Sequence, residues 1–128
     1  GKRGTYTDIS DIFAKEGRDN MEWIISGKAF NEDSDYALGD YRLNRPRTIM
    51  GIVDTTSRTQ IILAITRTNR TVPEVKQDIY DMGYDPRLFI MLDGGGSTTM
   101  KIGNVNYGAG VGRSISNMVS LIDDSAIT

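Results

Sequence analysis

The sequence predicts an α/β chain of the α+β kind: a mixed β-sheet with a βαβ unit and a hairpin, and one or two packed helices. Three stretches carry that expectation. Residues 49–53 and 59–66 are apolar runs joined by a polar turn at 54–57, the pattern of an antiparallel hairpin. Thr71-Val72-Pro73-Glu74 is a capping box with proline in the first turn, and Val72, Val75, Ile79 and Met82 then share one helical face. Leu88 to Leu92 is a short apolar run that ends on Asp93 and three glycines, Gly94, Gly95 and Gly96.

In chain order, Thr7 or Asp8 can cap a short helix with Ile9, Ile12 and Phe13 on one face, and Gly17 suits its stop. Residues 22–27 read as a strand, with Trp23 and Ile25 on one face and Ile24 opposite; Trp23 is a packing residue before it is a sugar platform. From Asn31 to Asp40 the chain turns acidic. Asn31, Asp33 and Asp35 have the alternate spacing that opens a calcium loop, but Tyr36 stands where glycine is required and Arg42 where the terminal glutamate should be, so a solvated loop is the better account. Pro46 is tolerated at the entry to the hairpin because it need not donate there. The run Ile61 to Ile65 is continuously apolar, as an interior strand is.

The second hairpin arm, the capped helix and the Leu88 strand then make the βαβ unit, with a right-handed crossover and parallel strands. Gly83 ends the helix. Asn69-Arg70-Thr71 is formally a glycosylation sequon, but Thr71 already serves as a cap. After the glycines, residues 99–102 can pair back as a strand, 103–112 form a glycine-rich loop, and 115–122 make a final strand. Tyr107 in that loop either stacks on a sugar face or anchors the loop.

Composition narrows the chemistry. The 128 residues fit one domain able to bury roughly two-thirds of its unfolded surface. With 38% hydrophobic and 25% charged residues the chain has the balance of a globular domain. A net charge of -2 without a Lys/Arg cluster argues against nucleic acid as partner, and no apolar run approaches membrane-spanning length. Cysteine and histidine are both absent, which removes disulfides, zinc fingers and every Ser-His or Cys-His pair within the chain.

Asp93 and the glycines that follow hold the strongest chemical signal. A carboxylate at a strand's carboxyl end lies where open α/β sheets bind ligands, and successive N–H groups of a glycine turn can form an anion-binding nest. The same residues also read as a tight Asp-Gly turn between two strands. Two phosphate loops are excluded: no Gly-Lys-Ser/Thr ending is present, and Thr99 stands where a dinucleotide fingerprint needs glycine.

Three blocks, Arg-Pro-Arg-Thr with its apolar strand (45–53), Leu-Asp-Gly-Gly-Gly-Ser-Thr-Thr-Met (92–100) and Arg-x-x-x-Asn before an apolar strand (113–122), resemble the phosphodiester glycosidases in order and spacing. The middle block is the most specific. The resemblance implies a single phosphodiester-glycosidase-like domain over residues 1–128. An upstream Asn-Gly-Gly-Phe-Phe-like motif usual in such domains does not occur, so the chain is expected to be the C-terminal part of one.

The resemblance further implies hydrolysis of a sugar-1-phosphodiester. Its site set is Asp93, Arg47 and Arg113 for catalysis, with Gly94, Gly95, Gly96, Ser97, Thr98 and Asn117 for substrate. Arginine forks suit phosphate oxygens, and a carboxylate can serve the anomeric carbon. Asp93 can act there as base, metal ligand or substrate orienter. No cofactor is implied, and a divalent cation stays open. The expected partner is a carbohydrate or sugar phosphate. The alternative is a non-catalytic glycan-binding or structural module of a larger surface or viral assembly, which would be extracellular or virion-associated.

Overall fold

The computed structural model describes residues 8–21, 24–30, 42–108, 114–115 and 118–121. The α+β class stands. Helices α1 (Ile9–Glu16) and α2 (Val72–Asp81) accompany strands β1 (Lys28–Ala29), β2 (Thr48–Asp54), β3 (Thr59–Ile65), β4 (Phe89–Leu92), β5 (Thr99–Ile102) and β6 (Val105–Gly108). A four-stranded sheet has the order β1-β4-β2-β3, and β5 and β6 form a separate two-stranded sheet.

Helix α1 starts on Asp8, whose side chain accepts from the Asp11 N–H at 2.9 Å, and stops at Gly17 with φ 81°. A left-handed stop of this kind favours glycine. The strand expected at 22–27 is displaced: residues 24–27 are irregular, and β1 is the two-residue pairing Lys28↔Met91 and Ala29↔Ile90. Trp23 lies outside the described residues. Fully buried Phe30 follows β1, and its burial fixes where the chain meets β4.

The core lies between one sheet face and α2, where Ile49, Phe89 and Met91 pack with Phe30, Val72, Val75 and Ile79. The registers Ile49↔Met91 and Gly51↔Phe89 put these residues on a common face. Gly51 is buried because the Phe89 ring occupies the space a side chain would need; a Cβ there would lie 2.5 Å from the ring. Met82, expected on the buried face of the helix, is 49% exposed. The helix has already ended there, so the periodicity no longer aims the side chain inward.

The βαβ unit is split. Strand β4 pairs with β2, not with β3, and because both β3 and β4 run antiparallel to β2 they point the same way with β2 between them. Every hydrogen-bonded pair of the sheet is therefore antiparallel, and the direct parallel neighbours expected of the unit do not occur. Strand β3 stands at the edge of the sheet rather than in its interior, with Ile61 42% exposed. A continuous apolar run reports side chains that face apolar surroundings. It carries no information about which backbone lies alongside.

Strand β5 pairs with β6 instead of returning to β4, with Gly103 (φ 58°) in the connecting turn. The expected glycine-rich loop thus begins as a hairpin. The described residues of the expected final strand, 115 and 118–121, have no regular structure, and Met118 and Leu121 are 71% and 56% exposed. An apolar strand forms where a neighbour supplies both ladder and cover, and the described residues supply neither. The calcium-like stretch at 31–40 lies outside the described residues.

Two outcomes follow. Gly51→Ala should lower stability by about 1–3 kcal/mol, read from the urea midpoint, because the buried Phe89 ring has no open side to move into. The second concerns acid. The Glu74 carboxyl is held below its ordinary range, first by the Thr71 backbone N–H, then by the Thr71 hydroxyl, with Arg70 adding. A carboxylate whose folded pKa is depressed contributes stability above its unfolded pKa, and loses it as pH falls through the folded value. Glu74→Gln should flatten that acid part of the stability curve; an unchanged slope would separate the cap from acid unfolding.

Candidate functional site at the carboxyl end of β4

Strand β4 ends beside the start of β2, where Thr48 pairs with Leu92. The chain then leaves the sheet through Asp93 and Gly94 into a 3-10 turn, Gly95–Ser97. This turn is docked on the backbone of the Arg-Pro-Arg block. The Gly95 N–H donates to the Pro46 carbonyl at 2.8 Å, and a Cβ on Gly94 would sit 2.8 Å from that same oxygen and 3.4 Å from the Arg47 Cα. Gly94 is thus glycine for closeness of approach, and Gly95 for its φ of 60°. Two of the three sequence blocks therefore meet.

Most N–H groups of the turn are spent within the fold. Those of Gly95, Ser97 and Thr98 are taken by Pro46, Gly94 and Gly95 carbonyls at 2.8, 3.1 and 3.2 Å. Those of Gly94 and Gly96 make no hydrogen bond among the described residues. Asp93 is exposed and likewise makes none there. Thr98 is 1% exposed, and its Oγ1 is a buried polar atom without a partner, 3.6 Å from where a Gly94 Cβ would be. Ser97 is half-buried on the same turn.

Arg47 is placed differently from what its expected role requires. It is 2% exposed, with Nε donating to the Arg70 carbonyl at 3.0 Å and one terminal nitrogen to the Leu43 carbonyl at 2.6 Å. The other terminal nitrogen is 3.7 Å from the Met91 sulfur. Its backbone is fixed as well: the Arg47 N–H donates to the Thr66 hydroxyl and the Thr66 N–H to the Arg47 carbonyl, both at 2.8 Å. A fork occupied in this way holds the segments before β2 and before α2 together; it does not reach outward to phosphate.

Two further arginines lie at this corner. Arg45 forms an isolated bridge with Arg70, and its Cδ lies 3.7 Å from where a Gly95 Cβ would be, which puts its side chain against the turn. Arg70 grips Asp78 through two bonds of 2.9 and 2.6 Å and Glu74 through one of 3.2 Å, tying the Arg-Pro-Arg block to α2. The only signal for Arg45 was its place in the same block as Arg47, and spacing alone cannot tell which of two arginines turns inward. Arg113 and Asn117 lie outside the described residues. Tyr107 is covered by Arg67, whose guanidinium lies 5.7 Å from the ring centroid.

Among the described residues no group of His, Cys, Asp and Glu is gathered to hold a metal ion, and no helix is long and apolar enough to cross a membrane. Compared with protein-family models, with curated proteins and with solved structures, the chain gives no match.

Arg47→Lys should destabilise the fold by about 1–3 kcal/mol in urea unfolding, since one ammonium cannot serve both carbonyls and a part-buried acceptor is left unpaired. Gly94→Ala should cost more than Gly95→Ala. The first meets backbone, whereas the second meets only the strain of positive φ, about 1 kcal/mol.

Proposed function

We propose that this chain is a phosphodiester-glycosidase-like domain whose site, at the carboxyl end of β4, hydrolyses a sugar-1-phosphodiester. The observation that carries the reading is the docking of the glycine turn on Pro46, which joins the two blocks of the resemblance around an exposed carboxylate. In this reading water attacks the anomeric carbon, the bond from that carbon to the phosphodiester oxygen breaks, and a phosphomonoester leaves with the bonding electrons. Asp93 accepts the proton of the attacking water or steadies the developing positive charge. A phosphate leaving group is stabilised by arginine and by turn N–H groups, so a second carboxylic acid is not required. Arg113 and Asn117 would complete the substrate contacts. Arg47 serves from beneath, by holding the backbone on which the turn rests.

The second reading is a glycan-binding or structural module of a larger assembly. It is favoured by one observation: the Arg47 fork is spent on main-chain carbonyls, so that member of the expected catalytic set is not presented to a ligand.

The two readings part in one assay. The enzyme should release free sugar and phosphomonoester from an alkyl sugar-1-phosphodiester and act poorly on the matching alkyl glycoside. Asp93→Asn should lower turnover by about 100-fold or more without moving the melting temperature. Glycan binding with background turnover on every sugar phosphodiester would establish the module instead.

A further inference from the structure

We propose that β3 is the seam of a two-fold dimer, in which two copies of this chain pair their β3 strands antiparallel, with Ile61 on the axis, and join their four-stranded sheets into one. The proposal is independent of the phosphodiester reading. It starts from the direction of the backbone groups. The Thr66 N–H donates to the Arg47 carbonyl and the Thr55 N–H to the Arg58 carbonyl, both at 2.8 Å, and these two bonds bracket the pairing of β2 with β3. Bonded and non-bonded pairs alternate along an antiparallel ladder. Gln60, Ile62 and Ala64 therefore turn their N–H and C=O groups toward β2, and Thr59, Ile61, Leu63 and Ile65 turn theirs away from the sheet. No described strand pairs on that side, and the outward groups make no hydrogen bond among the described residues. The β5–β6 hairpin comes near β3 without bonding to it.

Free edges are normally blunted. Short length, a charge, a proline or a bulge keeps such a strand from recruiting another. Strand β3 has none of these. It runs for seven residues, Thr-Gln-Ile-Ile-Leu-Ala-Ile, without a charged residue, proline or glycine, and its register on β2 is unbroken. Ile62 and Ala64 pack on the core, whereas the Ile61 side chain alternates to the opposite face and is 42% exposed.

A second copy fits because β3 itself has what the edge requires. Pairing about the axis sets Ile61 against the partner's Ile61, Thr59 against the partner's Leu63, and Leu63 against the partner's Thr59. All three are bonded pairs, with about six backbone hydrogen bonds between them. The exposed apolar side chain then meets its own copy across the axis. Charge agrees with this register. The strand is neutral, Arg58 falls opposite the partner's Ala64 and Arg67 opposite the partner's Thr55, so like charges do not face each other. One strand from each copy makes a contact smaller than the roughly 1,200 Å² of a standard interface, so the dimer is weak and reversible.

The test is sedimentation velocity on the full 128-residue chain, from about 5 to about 500 μM, with urea unfolding as the check on the fold. Wild type should pass from monomer to dimer across that range. Ile61→Lys puts two ammonium groups on the axis and Ile61→Glu two carboxylates, so each should raise the dissociation constant about tenfold or more. An equimolar mixture of these two variants should recover the dimer, because opposite charges then meet. Ile61→Pro deletes an N–H that points away from β2, so the fold should hold while the dimer is lost.

A wild type that stays monomeric at every concentration overturns the proposal. So does a dimer that survives unweakened in Ile61→Lys and Ile61→Glu, or in a folded Ile61→Pro. If each charged variant is monomeric and their mixture fails to associate, Ile61 is not on the axis and the proposed register is overturned. A monomeric wild type that takes up an uncharged strand-forming peptide gives the edge to a different chain, and ever larger species give it to open-ended stacking; either overturns the dimer.

Discussion

The candidate site depends on a buried guanidinium. Arg47 carries its charge at 2% exposure, and it is tolerated because the fork donates to main-chain carbonyls of Leu43 and Arg70. Those carbonyls come from separate stretches of chain, one before β2 and one before α2. Holding both at once fixes the path of the backbone that runs from Arg45 into β2. The glycine turn rests on that path, through the bond from the Gly95 N–H to the Pro46 carbonyl. Loosening the guanidinium would therefore shift the turn without touching it.

The sheet explains why a site forms at this corner. With β2 between β3 and β4, the carboxyl end of β4 lies beside the amino end of β2, and the segments entering and leaving the sheet meet there. Had β4 paired directly with β3, the turn after β4 would have met the residues following Ile65, and the Arg-Pro-Arg block would have stood one strand away. Gly51 contributes to that order: the space above it admits the Phe89 ring, so β4 packs tightly on β2. On the helix side, Arg70 links the same corner to α2 through Asp78 and Glu74, although these ion pairs are partly exposed and contribute little stability by themselves.

The turn also shows how three adjacent glycines can do different work. Gly94 is held to a bare backbone by the Pro46 carbonyl, Gly95 by its positive φ, and Gly96 leaves an N–H unpaired among the described residues. The N–H of Gly94, like that of Gly96, makes no hydrogen bond among the described residues. A glycine run that reads as one nest thus spends part of its backbone on packing.

Local chemistry was legible in the sequence. The capping box at Thr71 and Glu74, the Asp8 cap, the Gly17 stop, the 48–65 hairpin and the run ending at Asp93 all depend on neighbours within a few residues, where spacing fixes geometry. What spacing could not fix was partnership between distant segments. It placed β3 in the interior and beside β4, began the first strand at 22 instead of 28, and expected at the ligand an Arg47 that the fold leaves 2% exposed. The last case shows the physical reason most plainly. Spacing cannot say that a given arginine will be buried; the positions of the Leu43 and Arg70 carbonyls, brought close by the folded chain, draw the Arg47 fork inside.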